Sequence, residues 1–180
     1  MQNLNKIGQV WIETVLYTLI GLSLIALILA FVTPRINESK DQVMVEQTIN
    51  SLNEFDNKIY NVIDIVGNRR YIDLTIKRGN FYITSSADSI SFVFDDLTKP
   101  YSELGVEINI SKIKILSSQN QKANSIYLTL QMPPLVNLTY AGKEITKKFQ
   151  AASLPYRIYI ENKGGANGIY NIDLWTSPER

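Results

Sequence analysis

A single carboxylate, Glu13, lies four residues after Gln9 in an apolar segment that runs from Val10 to Val32. It is the only charged side chain in that segment. An ionised carboxylate near hydrocarbon costs about 2.5 kcal/mol or more, so a segment of bilayer length normally excludes one. The position therefore indicates a function for Glu13. The chemistry open to it there is pairing with a positively charged partner.

The composition excludes several kinds of catalytic and binding site. The chain has 180 residues, a formal net charge of +1, and neither histidine nor cysteine. It therefore lacks a thiol nucleophile, a disulfide framework and the commonest general base and metal ligand. A near-neutral charge gives no basic surface for nucleic acid. We expect a non-enzymatic protein with no catalytic residues, no cofactor and no metal site, built as one domain plus an anchor.

The apolar segment is long enough to cross a membrane. Val10 to Val32 is about 23 residues, which as a helix spans a hydrocarbon core of about 30 Å. Trp11 and Tyr17 stand near its amino end, where amphipathic rings favour the membrane interface. The numbers of basic residues before and after this segment are nearly equal, so the positive-inside rule hardly decides its orientation. We favour a cytoplasmic leader and an extracellular carboxyl-terminal domain.

Three interpretations of this segment compete. A cleaved secretory signal would have a shorter apolar core followed by a site with small residues. A plain uncleaved signal anchor, holding a monomeric extracellular binding module at the membrane, explains the length. It leaves Glu13 with no role beyond reaching back to water.

The third interpretation is a resemblance. Gly8-Gln9, followed by Glu13 in an unbroken apolar run, resembles the class III leader of archaeal type IV pilins. The resemblance covers about the first fifth of the chain. It implies that a prepilin peptidase cuts between Gly8 and Gln9 and that Glu13 is the assembly carboxylate at the fifth mature position. Ile7 stands where the family usually has a basic residue, and Lys6 precedes it.

The resemblance also implies a mechanism and a set of partners. Cleavage would leave an amine on Gln9, which is an ammonium near neutral pH. In a filament of parallel, staggered helices, this ammonium can lie beside Glu13 of a neighbour, where the pair selects the register while apolar burial supplies the cohesion. The implied partners are other copies of the chain in a helical cell-surface filament, the prepilin peptidase, an assembly ATPase and its platform membrane protein. A major subunit, a minor pilin and a pseudopilin all fit the pattern.

Past the membrane segment, an amphipathic helix is predicted. Pro34 predicts a kink or break near residues 31–33. Apolar residues then recur every three or four positions, and Gly67 is a plausible stop. The stripe contains Val45, Ile49, Leu52, Phe55, Ile59, Val62 or Ile63, and Val66. The predicted divisions are a leader (1–8), a transmembrane and filament-core helix (9–33), an amphipathic extension (34–67) and a β-rich extracellular domain (68–180).

The sequence pattern after Gly67 predicts ten short strands. Alternating apolar and polar residues, separated by turn residues, favour an antiparallel β-sandwich-like domain or a strongly curved sheet, in an α+β protein rather than a parallel α/β fold. Gly79-Asn80 predicts a tight turn between the first two strands. The predicted strands are 71–77, 81–84, 90–94, 106–110, 112–116, 125–131, 136–140, 144–150, 156–161 and 169–175.

Three asparagines, Asn37, Asn109 and Asn137, match the N-glycosylation acceptor pattern. The pattern has meaning only for an extracellular domain. Glycans are common on filaments of the resembled family, which favours Asn109 or Asn137 over Asn37, since Asn37 stands close to the membrane.

Three aspartates and four aromatic residues are also candidates for a functional site, and each group has a simpler interpretation as part of the fold. Asp88, Asp95 and Asp96 lack the spacing of a calcium loop and are interpreted as turn carboxylates. Aromatic residues near the carboxyl end could pair across a hairpin, where they would form either an exposed contact surface or part of the core. They are Tyr156, Tyr159, Tyr170 and Trp175.

Overall fold

The predicted apolar segment and the amphipathic stripe, except for Val66, belong to one helix, α1 (Asn3–Ile63). The computed structural model describes residues 3–120 and 123–176, with side chains from Gln9 onward. Helical backbone continues through Pro34, so the predicted break of the helix does not occur there. A kink at Pro34 stays a prediction. The chain divides into two compact units, Met1–Lys40 and Asp41–Arg180.

The carboxyl end of α1 comes earlier than the sequence predicts. The helix ends at Ile63, four residues before Gly67. Gly67 has a φ of +80° and donates its backbone N–H to the carbonyl of Asn162. Val66, predicted to continue the buried stripe, lies in this turn and is 69% exposed. The stop is thus set by a contact from a distant strand as well as by the glycine.

Ten strands follow in the described residues, each overlapping one of the ten predicted strands. Most boundaries move by one to three residues, as expected for element ends. The strands are β1 (Arg69–Leu74), β2 (Asn80–Thr84), β3 (Ser89–Leu97), β4 (Glu107–Ile110), β5 (Ile113–Asn120), β6 (Ala123–Gln131), β7 (Val136–Tyr140), β8 (Thr146–Gln150), β9 (Tyr156–Asn162) and β10 (Tyr170–Thr176).

The strands form two sheets, and the protein is therefore α+β. One sheet has four strands in the order β1-β9-β10-β7, and the other has six in the order β4-β5-β6-β3-β2-β8. All pairs are antiparallel except β7 with β10, which is parallel.

The turn at Gly79 joins the two sheets. It does not close a hairpin, because β1 pairs with β9 whereas β2 pairs with β3 and β8. Gly79 has a φ of +82°, and a Cβ there would lie 2.5 Å from the carbonyl oxygen of Val93. Only glycine accommodates this crossing without a shift.

The core of the second unit joins the helix to both sheets. The predicted stripe is buried at six positions of α1, from Val45 to Val62, and Ile63 packs against the same cluster. Phe55 stacks on Phe81 of β2 with ring centroids 5.3 Å apart. The helix thus supplies one wall of the core that holds the sheets, as the 3.6-residue period predicts.

Candidate functional site

The apolar stretch of α1, defined here as Val10–Val32, has no partner within the described chain. Its sixteen large apolar side chains are exposed by between 41% (Val15) and 73% (Trp11). This stretch lies in a helix long and apolar enough to cross a membrane, and none of its most apolar window is buried within the chain. Further along the same helix, the stripe from Val45 to Val62 is fully buried. Apolar surface of this size points to lipid or protein around it.

The threonine and serine hydroxyls in and beside the apolar stretch are satisfied inside the helix. Each side-chain oxygen bonds the backbone carbonyl four residues earlier: Thr14 to Val10 (2.8 Å), Thr18 to Thr14 (2.7 Å), Ser23 to Leu19 (2.7 Å) and Thr33 to Leu29 (2.7 Å). In hydrocarbon, a polar group without a partner costs several kcal/mol. The helix surface therefore tolerates apolar surroundings at these positions.

Gln9 and Glu13 are in direct contact. The Nε2 of Gln9 donates to the Oε1 of Glu13 over 3.0 Å, across one turn of the helix. This is the i,i+4 geometry that brings two side chains together on one helix face. A carboxylate has about four acceptor sites on its two oxygens, so this bond leaves capacity for a second donor.

A helix that started at Gln9 would place Glu13 close to its amino end, where the helix dipole favours an anion. In the structure α1 already begins at Asn3, so Glu13 is ten positions into the helix and the Gly8–Gln9 bond has helical backbone. The favourable effect of the helix dipole on Glu13 therefore applies only to a chain from which residues 1–8 have been removed. Residues 3–8 and the apolar stretch therefore belong to one continuous helix.

The three asparagines that match the N-glycosylation pattern occupy different environments. Asn37 is exposed within α1, and Asn109 is exposed on β4, just before the β4–β5 turn. Asn137 is half-buried on β7, where its Nδ2 donates to the Oδ1 of Asn171 over 3.0 Å. The nitrogen that would receive a glycan is thus already engaged at Asn137.

Aromatic and charged residues cover the outer face of the four-stranded sheet. Tyr159 and Trp175 are register partners on β9 and β10, and their rings stack with centroids 5.4 Å apart. Tyr71 on β1 pairs in register with Tyr159. Arg69 lies 4.9 Å from the centre of the Trp175 ring. The predicted pairing across a hairpin is confirmed for Tyr159 and Trp175, and both residues are half-buried.

The other two aromatic residues of the predicted group lie elsewhere. Tyr156 packs against the core with its ring 5.1 Å from that of Phe149. Tyr170, at the start of β10, is exposed and donates its backbone N–H to the carbonyl of Leu135. The four residues therefore do not form one surface.

Two buried carboxylates in the second unit, Asp41 and Glu161, have lowered pKa values. Burial tends to raise the pKa of Asp41, but bonds from the Thr98 backbone N–H (2.7 Å) and from Arg78 (2.9 Å) outweigh it and hold the pKa below its ordinary value. Burial likewise opposes the lowering of the Glu161 pKa, which the bonds from Lys163 and Arg69 bring about. Both pairs stabilise the fold rather than forming an acid–base couple.

The aspartates considered for calcium have structural roles. Asp88 has a φ of 45° after the 3-10 helix Ser85–Ala87, and its Oδ1 accepts the backbone N–H of Leu138 over 2.7 Å. Asp95 and Asp96 lie at a bulge of β3 rather than in a turn, and Asp96 has a φ of 99°. Within residues 3–120 and 123–176, no group of three acidic residues is placed to hold a metal ion.

No protein-family model, no curated protein and no solved structure matches the chain. The resemblance to archaeal type IV pilins therefore still depends on Gly8, Gln9, Glu13 and the apolar stretch. The structure adds the contact between Gln9 and Glu13 and the exposure of the stretch.

Sequence reasoning missed several buried polar contacts. The most consequential are those of Asn162, which caps α1, and of Asp41 with Arg78. Their partners are separated by 99 or 100 residues in the first case and 37 in the second. No local pattern marks such pairs, because each residue type is common in loops and on exposed faces.

Proposed function

We propose that the chain is a structural subunit of a type IV pilus-like surface filament, held together by its apolar stretch. The observation that carries this proposal is the contrast within α1. The stripe from Val45 to Val62 is buried in the chain's own core, whereas Val10–Val32 stays exposed and carries an acid, Glu13, near its amino end. A prepilin peptidase removes residues 1–8, and copies of the helix then pack against one another.

Apolar burial supplies most of the cohesion in such a filament. At about 25 cal/mol per Å² of apolar area removed from water, burying this stretch contributes on the order of tens of kcal/mol relative to a solvated state. Relative to lipid the gain is small, since lipid tails are as apolar as the neighbouring helices. Extraction from the membrane therefore needs an external source of energy, which an assembly ATPase acting through a platform membrane protein provides.

Glu13 sets the stagger between neighbours. Once residues 1–8 are removed, the ammonium of Gln9 in an incoming copy pairs with Glu13 of a copy already in place. The bond from its own Gln9 occupies Oε1 and orients the carboxylate, which leaves acceptor capacity for that ammonium. A charge pair in apolar surroundings costs less than either charge alone, so registers that unite the two are favoured.

The second unit is the extracellular part of the subunit. We place its two sheets as a sandwich-like pair around residues 45–63 of α1, because buried side chains of both sheets and of the helix share one cluster. The aromatic and charged outer face of the four-stranded sheet is then available to solvent, to neighbouring subunits or to a glycan-bearing surface.

Intact mass of membrane-extracted protein tests the processing step. We expect the chain to begin at Gln9, so that its mass lacks residues Met1 to Gly8. A chain that retains Met1 and stays monomeric would instead identify an uncleaved signal anchor carrying an extracellular binding module. A chain that retains Met1 inside ordered filaments would contradict the pairing mechanism.

Substitution of Glu13 tests the pairing step. Glu13→Gln keeps the size and polarity and removes the charge, so we expect processing to persist while the amount of sheared filament falls roughly tenfold or more. The matched control is Glu54→Gln, an exposed carboxylate on the same helix outside the apolar stretch. Equal filament yield from wild type and Glu13→Gln would refute the role of the charge.

A further inference from the structure

Gln9 carries a side-chain carboxamide that can react with an α-amine on the same residue. If residues 1–8 are removed, Gln9 has both a free α-amine and a side-chain carboxamide. We infer that the bond from Gln9 to Glu13 holds this carboxamide away from the amine and so protects the new terminus against cyclisation. The inference rests on the proposed function, because only cleavage after Gly8 exposes the amine.

The competing reaction is an intramolecular acyl transfer. The lone pair of the Gln9 amine attacks Cδ of its own carboxamide, a bond forms between that nitrogen and Cδ, and the bond from Cδ to Nε2 breaks. The nitrogen of the former carboxamide leaves as ammonia and takes up the proton that the amine loses. The product is a five-membered lactam. It has no basic nitrogen, so it carries no charge to offer to Glu13 of a neighbour.

The contact geometry opposes this reaction. Nε2 of Gln9 lies 3.0 Å from Oε1 of Glu13, one turn further along the helix. Ring closure needs Cδ against the α-nitrogen of Gln9, which precedes Cα in the chain, whereas Glu13 lies one helical turn toward the carboxyl end. The side chain must therefore leave Glu13 before the ring can close. While Nε2 is bonded to Glu13, the carboxamide is not in a near-attack position.

Glu13 therefore has two separable roles. Its negative charge pairs with the amine of a neighbour, and its oxygen retains the carboxamide of its own Gln9. The second role needs an acceptor but no charge. A glutamine at position 13 still offers a carbonyl oxygen at the same place, whereas an alanine offers none.

The two substitutions separate these roles. Full-length wild type, Glu13→Gln and Glu13→Ala are expressed with the peptidase, extracted from membranes and incubated at neutral pH. The mass of the amino-terminal peptide is followed for loss of one ammonia. We expect cyclisation in Glu13→Ala to be roughly twofold faster than in wild type, because one exposed hydrogen bond between residues four apart no longer restrains the side chain. Glu13→Gln should stay close to wild type although its filament yield falls.

Thr14→Ala is the matched control, since the Thr14 hydroxyl bonds the Val10 carbonyl and does not contact Gln9. Equal cyclisation rates in wild type and Glu13→Ala, with residues 1–8 removed in both, would overturn the protective role alone. Fast cyclisation of Glu13→Gln would show that charge rather than the acceptor matters and would also overturn it. Retention of residues 1–8 in wild type would overturn the proposed function and this inference together.

Discussion

Asn162, at the end of β9, closes the carboxyl end of α1. Its Nδ2 donates to the carbonyls of Val62 (3.1 Å) and Ile63 (2.7 Å), and its Oδ1 accepts the backbone N–H of Gly164 over 2.7 Å. The last carbonyls of a helix have no partner within it. Asn162 is 1% exposed, so this one side chain satisfies groups that water does not reach.

Replacement of Asn162 should destabilise the second unit. Asn162→Leu has a similar volume but leaves the two carbonyls unpaired, which costs about 1–3 kcal/mol for a buried polar group. The measurement is the urea-induced unfolding of the full chain in detergent, followed by tryptophan fluorescence. Asn57→Ala, an exposed position on the same helix, is the control. Equal unfolding midpoints for Asn162→Leu and wild type would show that the cap contributes nothing.

Much of the fold follows from local patterns. The stripe from Val45 to Val62 repeats with the period of a helix, and a helix packed on one side against sheets must bury such a stripe. The alternation in β7 and its neighbours likewise follows from the two faces of a half-buried strand. These signals lie within about ten residues of sequence, which is why the number and places of the strands are predictable.

Pairing between distant segments is not predictable in this way. Gly79-Asn80 is a good hairpin signal, yet β1 and β2 join different sheets because β9 is the partner of β1. A turn residue indicates the local backbone conformation. It does not indicate which strand the next segment pairs with. At the candidate site the position of Glu13 is evident from sequence. Its contact with Gln9 requires a rotamer that only the structure provides.

The free energy of unfolding should fall in acid because the Asp41 carboxylate becomes protonated. Because its pKa is lowered in the fold, the carboxylate stabilises the fold fully above its unfolded pKa of about 3.8, and this contribution is lost as the pH falls through the folded pKa. Asp41→Asn should reduce the free energy of unfolding at pH 7 by about 1–3 kcal/mol, since the Arg78 and Thr98 bonds weaken.

Denaturation curves between pH 7 and pH 2 measure both effects of Asp41→Asn. The variant should lose less stability than wild type on acidification, with the residual decline coming from groups such as Glu161, whose pKa is also lowered. Asp64→Asn, at an exposed position just after α1, is the control. A variant whose stability falls as steeply as that of wild type would exclude Asp41 as a source of acid sensitivity.

A glycan on this chain should occupy Asn109. That residue is exposed beside the β4–β5 turn, where Ser111, the third residue of its acceptor pattern, has a φ of 58°. Asn137 instead commits its nitrogen to Asn171 within a sheet. Peptide mapping by mass spectrometry of native protein checks this, with Asn109→Gln expected to remove the added mass and Asn137→Gln to leave it. A glycan found on Asn137 with Asn109 bare would contradict the argument from exposure.

Gln9→Glu should block assembly while leaving processing intact. Two carboxylates four residues apart on a helix repel each other, and a second one near hydrocarbon costs about 2.5 kcal/mol or more. The new carboxylate would also pair with its own α-amine and so compete with the neighbour's Glu13. We expect the amount of sheared filament to fall roughly tenfold or more, measured against Gln47→Glu, the same change at an exposed position further along α1. Normal filament yield from Gln9→Glu would mean that the apolar stretch sets the stagger without any charge pair.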